Sequence, residues 1–157
     1  MFPKFLTVFF ISMVPLIELR GAIPIAMGMG LPAVPSIIVC ALGNMLPVPF
    51  IYFFARKFLV WGADKAYIGK VCRFFLDKGH IAGQKLVNKT GRGGLAVALL
   101  IFVGIPLPGT GAWTGVLGAS FLDMGFKSTV ASVSLGVVLA GIIMTVVSLL
   151  GLHIFGL

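Results

Sequence analysis

Glu18-Leu-Arg-Gly-Ala-Ile-Pro24 and Gly104-Ile-Pro-Leu-Pro-Gly-Thr-Gly-Ala-Trp-Thr-Gly115 are the two stretches that decide the fold. Each puts proline and glycine in the middle of an apolar segment, and one long apolar segment follows each of them. A helix broken at membrane depth leaves backbone N–H and C=O groups without partners, which is tolerated only where the backbone is buried in protein or lines a watery cavity. Because transporters use paired broken segments to build substrate sites near the bilayer midplane, the pattern predicts a small membrane transporter.

The composition also indicates a membrane protein. The 157 residues are 59% hydrophobic and 10% charged, whereas soluble domains carry about 25% charged residues. Apolar blocks cover residues 5–29, 33–54, 95–122 and 129–155, and the second and fourth exceed the roughly 20 residues of a simple span without a charge inside them. The first block continues past the length of a signal-peptide core and shows no small-residue cleavage site, so we expect the N-terminus to be retained.

Most of the net charge of +8 is concentrated in one segment. Residues 56–92 hold nine Lys and Arg against two Asp, a net charge of +7. The positive-inside rule therefore predicts a cytoplasmic segment, and a nucleic-acid partner is not expected. Apolar residues at spacings of three and four predict an amphipathic helix here. Gly79 and Gly83 are the expected breaks before a second short helix at about 84–88, and residues 90–94 are expected to form a flexible connection to the third apolar block.

The two halves of the chain resemble each other weakly, which predicts inverted repeats. Gly21-Ala-Ile-Pro24 resembles Gly104-Ile-Pro106, and residues 41–46 resemble residues 134–139. We expect an all-α polytopic membrane protein in which each repeat is a re-entrant helical hairpin plus a transmembrane helix, joined by the basic amphipathic region. The first repeat (1–55) is predicted to have a hairpin at about 5–30 and a span at about 33–55. The basic region covers residues 56–92. The second repeat (93–157) is predicted to have a hairpin at about 94–124 and a span at about 128–155.

This topology has consequences for orientation. With the basic region in the cytoplasm, the first hairpin enters the cytoplasmic membrane from outside, the second enters from the cytoplasm, and both termini lie outside. A competing topology treats the broken segments as kinked full spans, since residues 5–29 would be about 37 Å long as a helix. The hairpin is favoured because proline and glycine cluster at the centres of the blocks.

The first break carries charged candidates for a binding site. Glu18 is the only acid in the first repeat, and an ionisable side chain inside an apolar membrane segment is a functional candidate by default. Arg20 suits a phosphate or carboxylate group because its guanidinium binds such groups in a bidentate way. Gly21 permits a non-helical turn, and Pro24 is expected in the first turn of the returning helix. The structural alternative is a buried Glu18–Arg20 ion pair that fixes the turn.

The second break is the more specific pattern. Two prolines stop the incoming helix, and successive N–H groups of a Gly-Thr-Gly turn can converge on an anion. Two threonine hydroxyls and an indole complete the predicted site, unless these residues only allow close helix packing. The candidates are Pro106, Pro108, Gly109, Thr110, Gly111, Trp113 and Thr114. No Gly-Lys-Ser/Thr follows, so ATP hydrolysis is not indicated.

The remaining polar residues predict little chemistry. Asn44 interrupts the second apolar block and either faces the cavity or bonds a neighbouring helix. Asp123 and Lys127 are expected to form an interfacial pair. The two cysteines are expected to be free thiols, and the two histidines lack metal-ligand spacing. We therefore expect no metal, no cofactor and no enzymatic activity.

At these residues the chain resembles the family of small multidrug export proteins over nearly its whole length. The resemblance is carried by Glu18-Leu-Arg-Gly-Ala-Ile-Pro24 and Pro106-Leu-Pro-Gly-Thr-Gly-Ala-Trp113, and it implies export of cationic or lipophilic compounds. The hairpin architecture is similar to that of the DedA superfamily, which implies movement of polyisoprenyl-phosphate-like lipids coupled to protons or cations. That superfamily has acids in its first hairpin and arginines in its second; here Glu18 fits, but the second break has no arginine and Arg20 would supply the charge.

The function predicted from these observations is a secondary transporter or lipid translocase. Its substrate would be an amphipathic molecule with an anionic head group, coupled to protons through Glu18, with membrane lipid as a partner. One alternative is a proton-coupled exporter of cationic lipophilic drugs, and another is a membrane scaffold that recruits partners through its basic region. Because a chain this small hardly encloses a pathway alone, we expect a homo-oligomer, such as a dimer.

Overall fold

The computed structural model describes residues 1–65, 68–107 and 109–154, so the predicted site residue Pro108 lies outside the described residues. Within these ranges the chain forms seven α-helices and no strand, which confirms the all-helical prediction. The helices are α1 (Phe2–Met13), α2 (Glu18–Gly28), α3 (Ala33–Met45), α4 (Val48–Ala63), α5 (Gly69–Gly104), α6 (Ala112–Phe121) and α7 (Phe126–Ile154).

The first broken segment folds back on itself. Helices α1 and α2 have 12 and 11 residues, which corresponds to about 18 and 16 Å, well short of the ~30 Å hydrocarbon core of a bilayer. Lys4 Nζ, near the start of α1, donates a hydrogen bond of 2.8 Å to the carbonyl of Met29, just after the end of α2. The two helices are therefore antiparallel, and residues 14–17 form the turn between them.

The second broken segment folds back in the same way. A Cβ atom on Gly115 of α6 would lie 2.6 Å from Val103 Cγ2 and 3.3 Å from Leu99 Cδ1 of α5, so the two helices approach closely along the return path. The α5 helix continues through residues 79 and 83, where breaks were predicted; these predictions are wrong. The break is at Gly91, whose φ of 72° and ψ of 170° interrupt the helix in a region of φ that favours glycine.

Two helical stretches of the described chain are long and apolar enough to cross a membrane. They are Ala33–Ala63, with 31 residues and a mean hydropathy of 2.0, and Phe126–Gly151, with 26 residues and a mean hydropathy of 2.5. The first consists of α3 and α4, separated by a turn at Leu46 and Pro47, and it continues past the predicted end at residue 55. Proline lacks the N–H that a continuous helix needs at this point.

The packing brings the two turns together. Helix α2 contacts α3 of its own half and α7 of the other half, and α6 contacts α7 of its own half and α4 of the other half. The centre of this arrangement is apolar and includes the fully buried side chains of Leu19, Ile23, Val103, Val116, Val133 and Val137. Cys40 and Cys72 are buried free thiols, as predicted.

The α1–α3 contact depends on a glycine. A Cβ atom on Gly43 would overlap Ser12 Oγ and the backbone carbonyl of Phe9. We expect Gly43→Ala to lower the free energy of unfolding by about 1–3 kcal/mol, the usual cost of overpacking, as measured by thermal or denaturant unfolding in detergent. Gly118→Ala is the matched control because a Cβ atom there meets nothing within 4 Å; helix propensity predicts that it stabilises by about 0.5–1 kcal/mol. Equal stability of the two variants would contradict the close approach.

Candidate functional site

The two turns meet at a cavity of about 660 Å³. Most of the residues predicted from the two breaks line it: Glu18, Arg20, Gly21, Pro106, Gly109, Thr110, Trp113 and Thr114. We call this space the tip cavity. The Glu18 carboxylate and the Arg20 guanidinium are the charged groups that the described residues place there, and the other lining residues are uncharged.

The Glu18 carboxylate lies at the N-terminus of α6. Glu18 Oε1 accepts a hydrogen bond of 3.1 Å from the backbone N–H of Trp113, the second residue of that helix. The side chain is only 6% exposed. A negative charge at a helix N-terminus is favourable because the first N–H groups have no intrahelical acceptor. The acid of the first turn therefore caps a helix of the second turn.

Two features of the backbone support this placement. Glu18 has a φ of 49°, and a non-glycine residue in the left-handed region costs about 1–3 kcal/mol, a strain that clusters at functional sites. Gly111 leaves room for the carboxylate, because a Cβ atom there would overlap both carboxylate oxygens of Glu18. The glycine was predicted to let an external anion approach the backbone; in the structure it is the chain's own carboxylate that approaches.

Arg20 donates hydrogen bonds to the C-terminal end of α5, the helix that leads into the second turn. Its Nη2 donates to the carbonyls of Val103 and Ile105 at 3.2 and 3.3 Å, and its Nη1 donates to the carbonyl of Leu107. These carbonyls lie at and just beyond the C-terminus of α5, where a positive charge is favourable. The structure records no ion pair between Glu18 and Arg20, both of which it describes, so the predicted alternative of a direct pair is not what fixes the turn.

The threonines of the second turn bond to their own backbone. Thr110 Oγ1 donates to the carbonyls of Ile105 and Leu107, at 3.0 Å in each case. Thr114 Oγ1 lies 3.4 Å from the carbonyl of Gly111, a weaker contact. Gly109 has a φ of 80°, which glycine adopts without strain. The hydroxyls thus hold the turn in shape around the cavity.

Two predicted site residues lie elsewhere. Pro24 is inside α2, not in its first turn, and it does not line the tip cavity. Since proline has no N–H, the carbonyl of Arg20, four residues earlier, loses its usual intrahelical partner. Asn44 is 2% exposed and does not line the tip cavity either; its Oδ1 is buried without a hydrogen-bond donor among the described residues.

Several lining residues were not predicted. Leu16 and Ile17 belong to the first turn, and Leu117 and Met144 lie on α6 and α7. Leu117 could have been found from sequence, because it follows Trp113 by four residues and shares its helix face. Met144 is one of many apolar residues in the last span, and only the tertiary contact of α7 with the two turns distinguishes it.

A second polar cluster lies at the opposite end of α6. Arg56 forms an ion pair with Asp123, and His80 Nδ1 lies 3.8 Å from Asp123 Oδ2. The predicted pairing of Asp123 with Lys127 is therefore wrong: Asp123 lies in the turn after α6, with a φ of 56°, and its partner is on α4. Arg56, Asp77, His80 and Asp123 line a cavity of about 490 Å³, which we call the Arg56 cavity. No group of three metal-binding side chains occurs in the part of the chain that the structure describes.

Comparison with known proteins gives one result. A family model described as "Putative small multi-drug export protein" matches residues 18–143, a range that begins at Glu18 and includes the second turn, all of Ala33–Ala63 and most of Phe126–Gly151. No curated protein and no solved structure matches the chain. Because the match covers most of the 157 residues, the chain belongs to the family of small multi-drug export proteins.

Proposed function

We propose that the protein is a secondary transporter that moves an amphipathic substrate with an anionic head group, such as a polyisoprenyl-phosphate-like lipid, with proton coupling through Glu18. The observation that carries this proposal is the Glu18 carboxylate, 6% exposed and bonded to the first turn of α6 in a cavity that also holds Arg20. Membership of an exporter family supports transport as the general activity.

The proposed membrane arrangement follows from the packing. The two antiparallel helix pairs would be re-entrant hairpins, and the two halves would be inverted repeats with Ala33–Ala63 and Phe126–Gly151 as spans. The symmetric contacts of α2 and α6 with both spans support this arrangement. The N-termini of α2 and α6 would then meet near the midplane, where half-helices of transporters bind anionic groups. Residues 56–92 would be cytoplasmic, both termini outside, and the functional unit a homodimer.

The proposed mechanism is a competition for the N-terminus of α6. When Glu18 is ionised, its carboxylate occupies the Trp113 N–H. When Glu18 is protonated, it loses the charge that favours this position, and an anionic head group can take the N–H in its place, as anions do at helix N-termini. The proton and the anion then bind together, so one proton would accompany each substrate molecule in the same direction.

The family description favours a second candidate, a proton-coupled exporter of cationic lipophilic compounds. In that case the substrate cation would bind the ionised Glu18 directly and leave when the carboxylate takes up a proton. The two candidates predict opposite coupling, because the cation exchanges with a proton whereas the anion travels with it.

Transport in proteoliposomes tests the proposal. We expect the wild-type protein to accumulate a polyisoprenyl phosphate on the side toward which protons flow, and one unit of pH gradient should support up to about tenfold accumulation for one proton per anion. A cationic dye in the same vesicles is the matched comparison. Movement of the dye against the proton flow, with no movement of the phosphate above that of protein-free vesicles, would overturn the anion proposal in favour of the exporter.

A further inference from the structure

A purely apolar groove of about 380 Å³ runs along α6, on the side that faces α4 and the beginning of α5. Trp113, Leu117 and Phe121 form its α6 wall, and Phe54 and Phe58 of α4 lie opposite. Trp113, Leu117 and Phe121 are four residues apart, so they share one face of the helix. The volume is within the range of about 300–1,000 Å³ that is usual for ligand pockets.

The groove adjoins the two cavities at the ends of α6 and shares lining residues with each of them. Trp113 and Leu117 line both the groove and the tip cavity. Phe121 lines both the groove and the Arg56 cavity. One face of α6 therefore connects the Glu18–Arg20 pair of side chains with the Arg56–Asp123 ion pair. Charged groups lie at both ends of this route, and apolar side chains line the middle.

We propose that the groove binds the hydrocarbon chain of the substrate while the head group occupies the tip cavity or the Arg56 cavity. A free hydrophilic ion would lose its hydration in the groove without gaining a partner, whereas a hydrocarbon chain loses no hydration there and packs against the apolar side chains. The charged cavity that adjoins each end of the groove selects an amphipathic molecule with one chain. This inference deepens the proposed function and rests on it only for the identity of the head group.

The two tryptophans of the chain allow a direct test. Trp61 does not line the groove and is 55% exposed, so Trp61→Phe leaves Trp113 as the only reporter. A polyisoprenyl phosphate brominated along its chain, added to nanodiscs of unbrominated lipid, should quench Trp113 saturably. Half-saturation should come at a concentration about tenfold below that of a brominated phospholipid, since a packing preference of about 1.4 kcal/mol for the single isoprenoid chain corresponds to that factor.

A pair of variants on α4, in the Trp61→Phe background, makes the test specific. Phe58 lines the groove and is 46% exposed, so Phe58→Gln should not disturb the core. It should raise the half-saturating concentration about tenfold, because covering an amide with a hydrocarbon chain costs about 1–3 kcal/mol. Phe50 is on the same helix, is 72% exposed and does not line the groove, so Phe50→Gln should leave it unchanged. Equal effects of the two variants, or quenching of Trp113 that rises linearly like that by bulk lipid, would overturn the proposal.

Two further outcomes distinguish the contribution of the head group from that of the hydrocarbon chain. A brominated polyisoprenol without phosphate that quenches Trp113 as well as the phosphate does would support the groove and contradict the anionic head group of the proposed function. Transport of the phosphate with no saturable quenching of Trp113 would overturn the groove and leave the proposed function standing.

Discussion

Glu18→Gln should abolish the dependence of transport on a pH gradient while the two turns stay in contact. The amide keeps an oxygen that can accept the Trp113 N–H, which lies 3.1 Å from Glu18 Oε1. It takes up no proton at physiological pH, so the accumulation of up to about tenfold per pH unit expected for the wild type should disappear. Because a neutral amide resembles the protonated carboxyl group, binding of the anionic head group should become independent of pH.

The control for this variant is another acid outside the tip cavity. The chain has four acidic residues, and Asp64 follows the end of α4 and does not line the tip cavity. Asp64→Asn removes the same charge and should leave gradient-driven accumulation and its pH dependence at wild-type levels. The measurement is uptake by proteoliposomes at several pH gradients, with binding of the phosphate measured separately. Gradient-driven accumulation that persists in Glu18→Gln would exclude Glu18 as the coupling group.

The sequence predicts the helical fold and the two turns because proline and glycine act locally. Residues 14–17, 105–107 and 109–111 interrupt helices in the structure, close to the breaks that Gly21, Pro24 and the Gly104–Gly115 stretch indicate. The exact position of a turn is harder to predict from sequence. The first turn precedes Glu18, and Pro24 lies inside α2. A helix can retain a proline when tertiary packing holds the flanking turns, and here α2 is packed against α1, α3 and α7.

Tertiary packing also explains why the break in α5 was predicted at the wrong glycines. Gly79, Gly83 and Gly91 are equivalent by composition, yet only Gly91 has non-helical backbone angles inside this helix. A single glycine in a helix costs only about 1 kcal/mol relative to alanine. This difference in helix propensity does not decide which glycine breaks a helix. The segment after Gly91 packs against α6 and α7 through residues such as Leu99 and Val103, a tertiary contact that the composition of the segment does not reveal.

Most of the residues that line the tip cavity could be predicted from sequence, but their hydrogen-bond partners could not. Glu18 and Arg20 were singled out because charges are rare in apolar segments. Their partners, the Trp113 N–H and the carbonyls that end α5, are more than 80 residues away in the chain. Backbone partners of this kind carry no sequence signal, so the sequence assigns Arg20 to an external anion and Glu18 to proton coupling. In the structure, Glu18 binds the N-terminus of α6 and Arg20 binds the C-terminal end of α5, and these are the two helices that flank the second turn.

Arg20→Ala should be the most destabilising change in the tip cavity. The guanidinium donates to the carbonyls of Val103, Ile105 and Leu107, and alanine would leave the end of α5 without these charged donors. Hydrogen bonds to charged groups contribute about 1.5–3 kcal/mol each, and some of the carbonyls can bond to water in the cavity. We expect the free energy of unfolding to fall by about 3 kcal/mol, measured by denaturant titration in detergent, together with loss of phosphate transport.

Two further variants separate the geometry of the guanidinium from its charge. Lysine keeps the charge but has a single ammonium group, which does not reproduce the planar fork, so Arg20→Lys should recover only part of the lost stability. Arg56→Ala removes an arginine whose ion pair with Asp123 is about half exposed, and such pairs contribute about 0–1 kcal/mol. If Arg20→Ala were no more destabilising than Arg56→Ala, the contact between the turns would not depend on Arg20. The guanidinium would then be free for the substrate, and loss of transport in a stably folded Arg20→Ala protein would assign Arg20 to the head group instead of to α5.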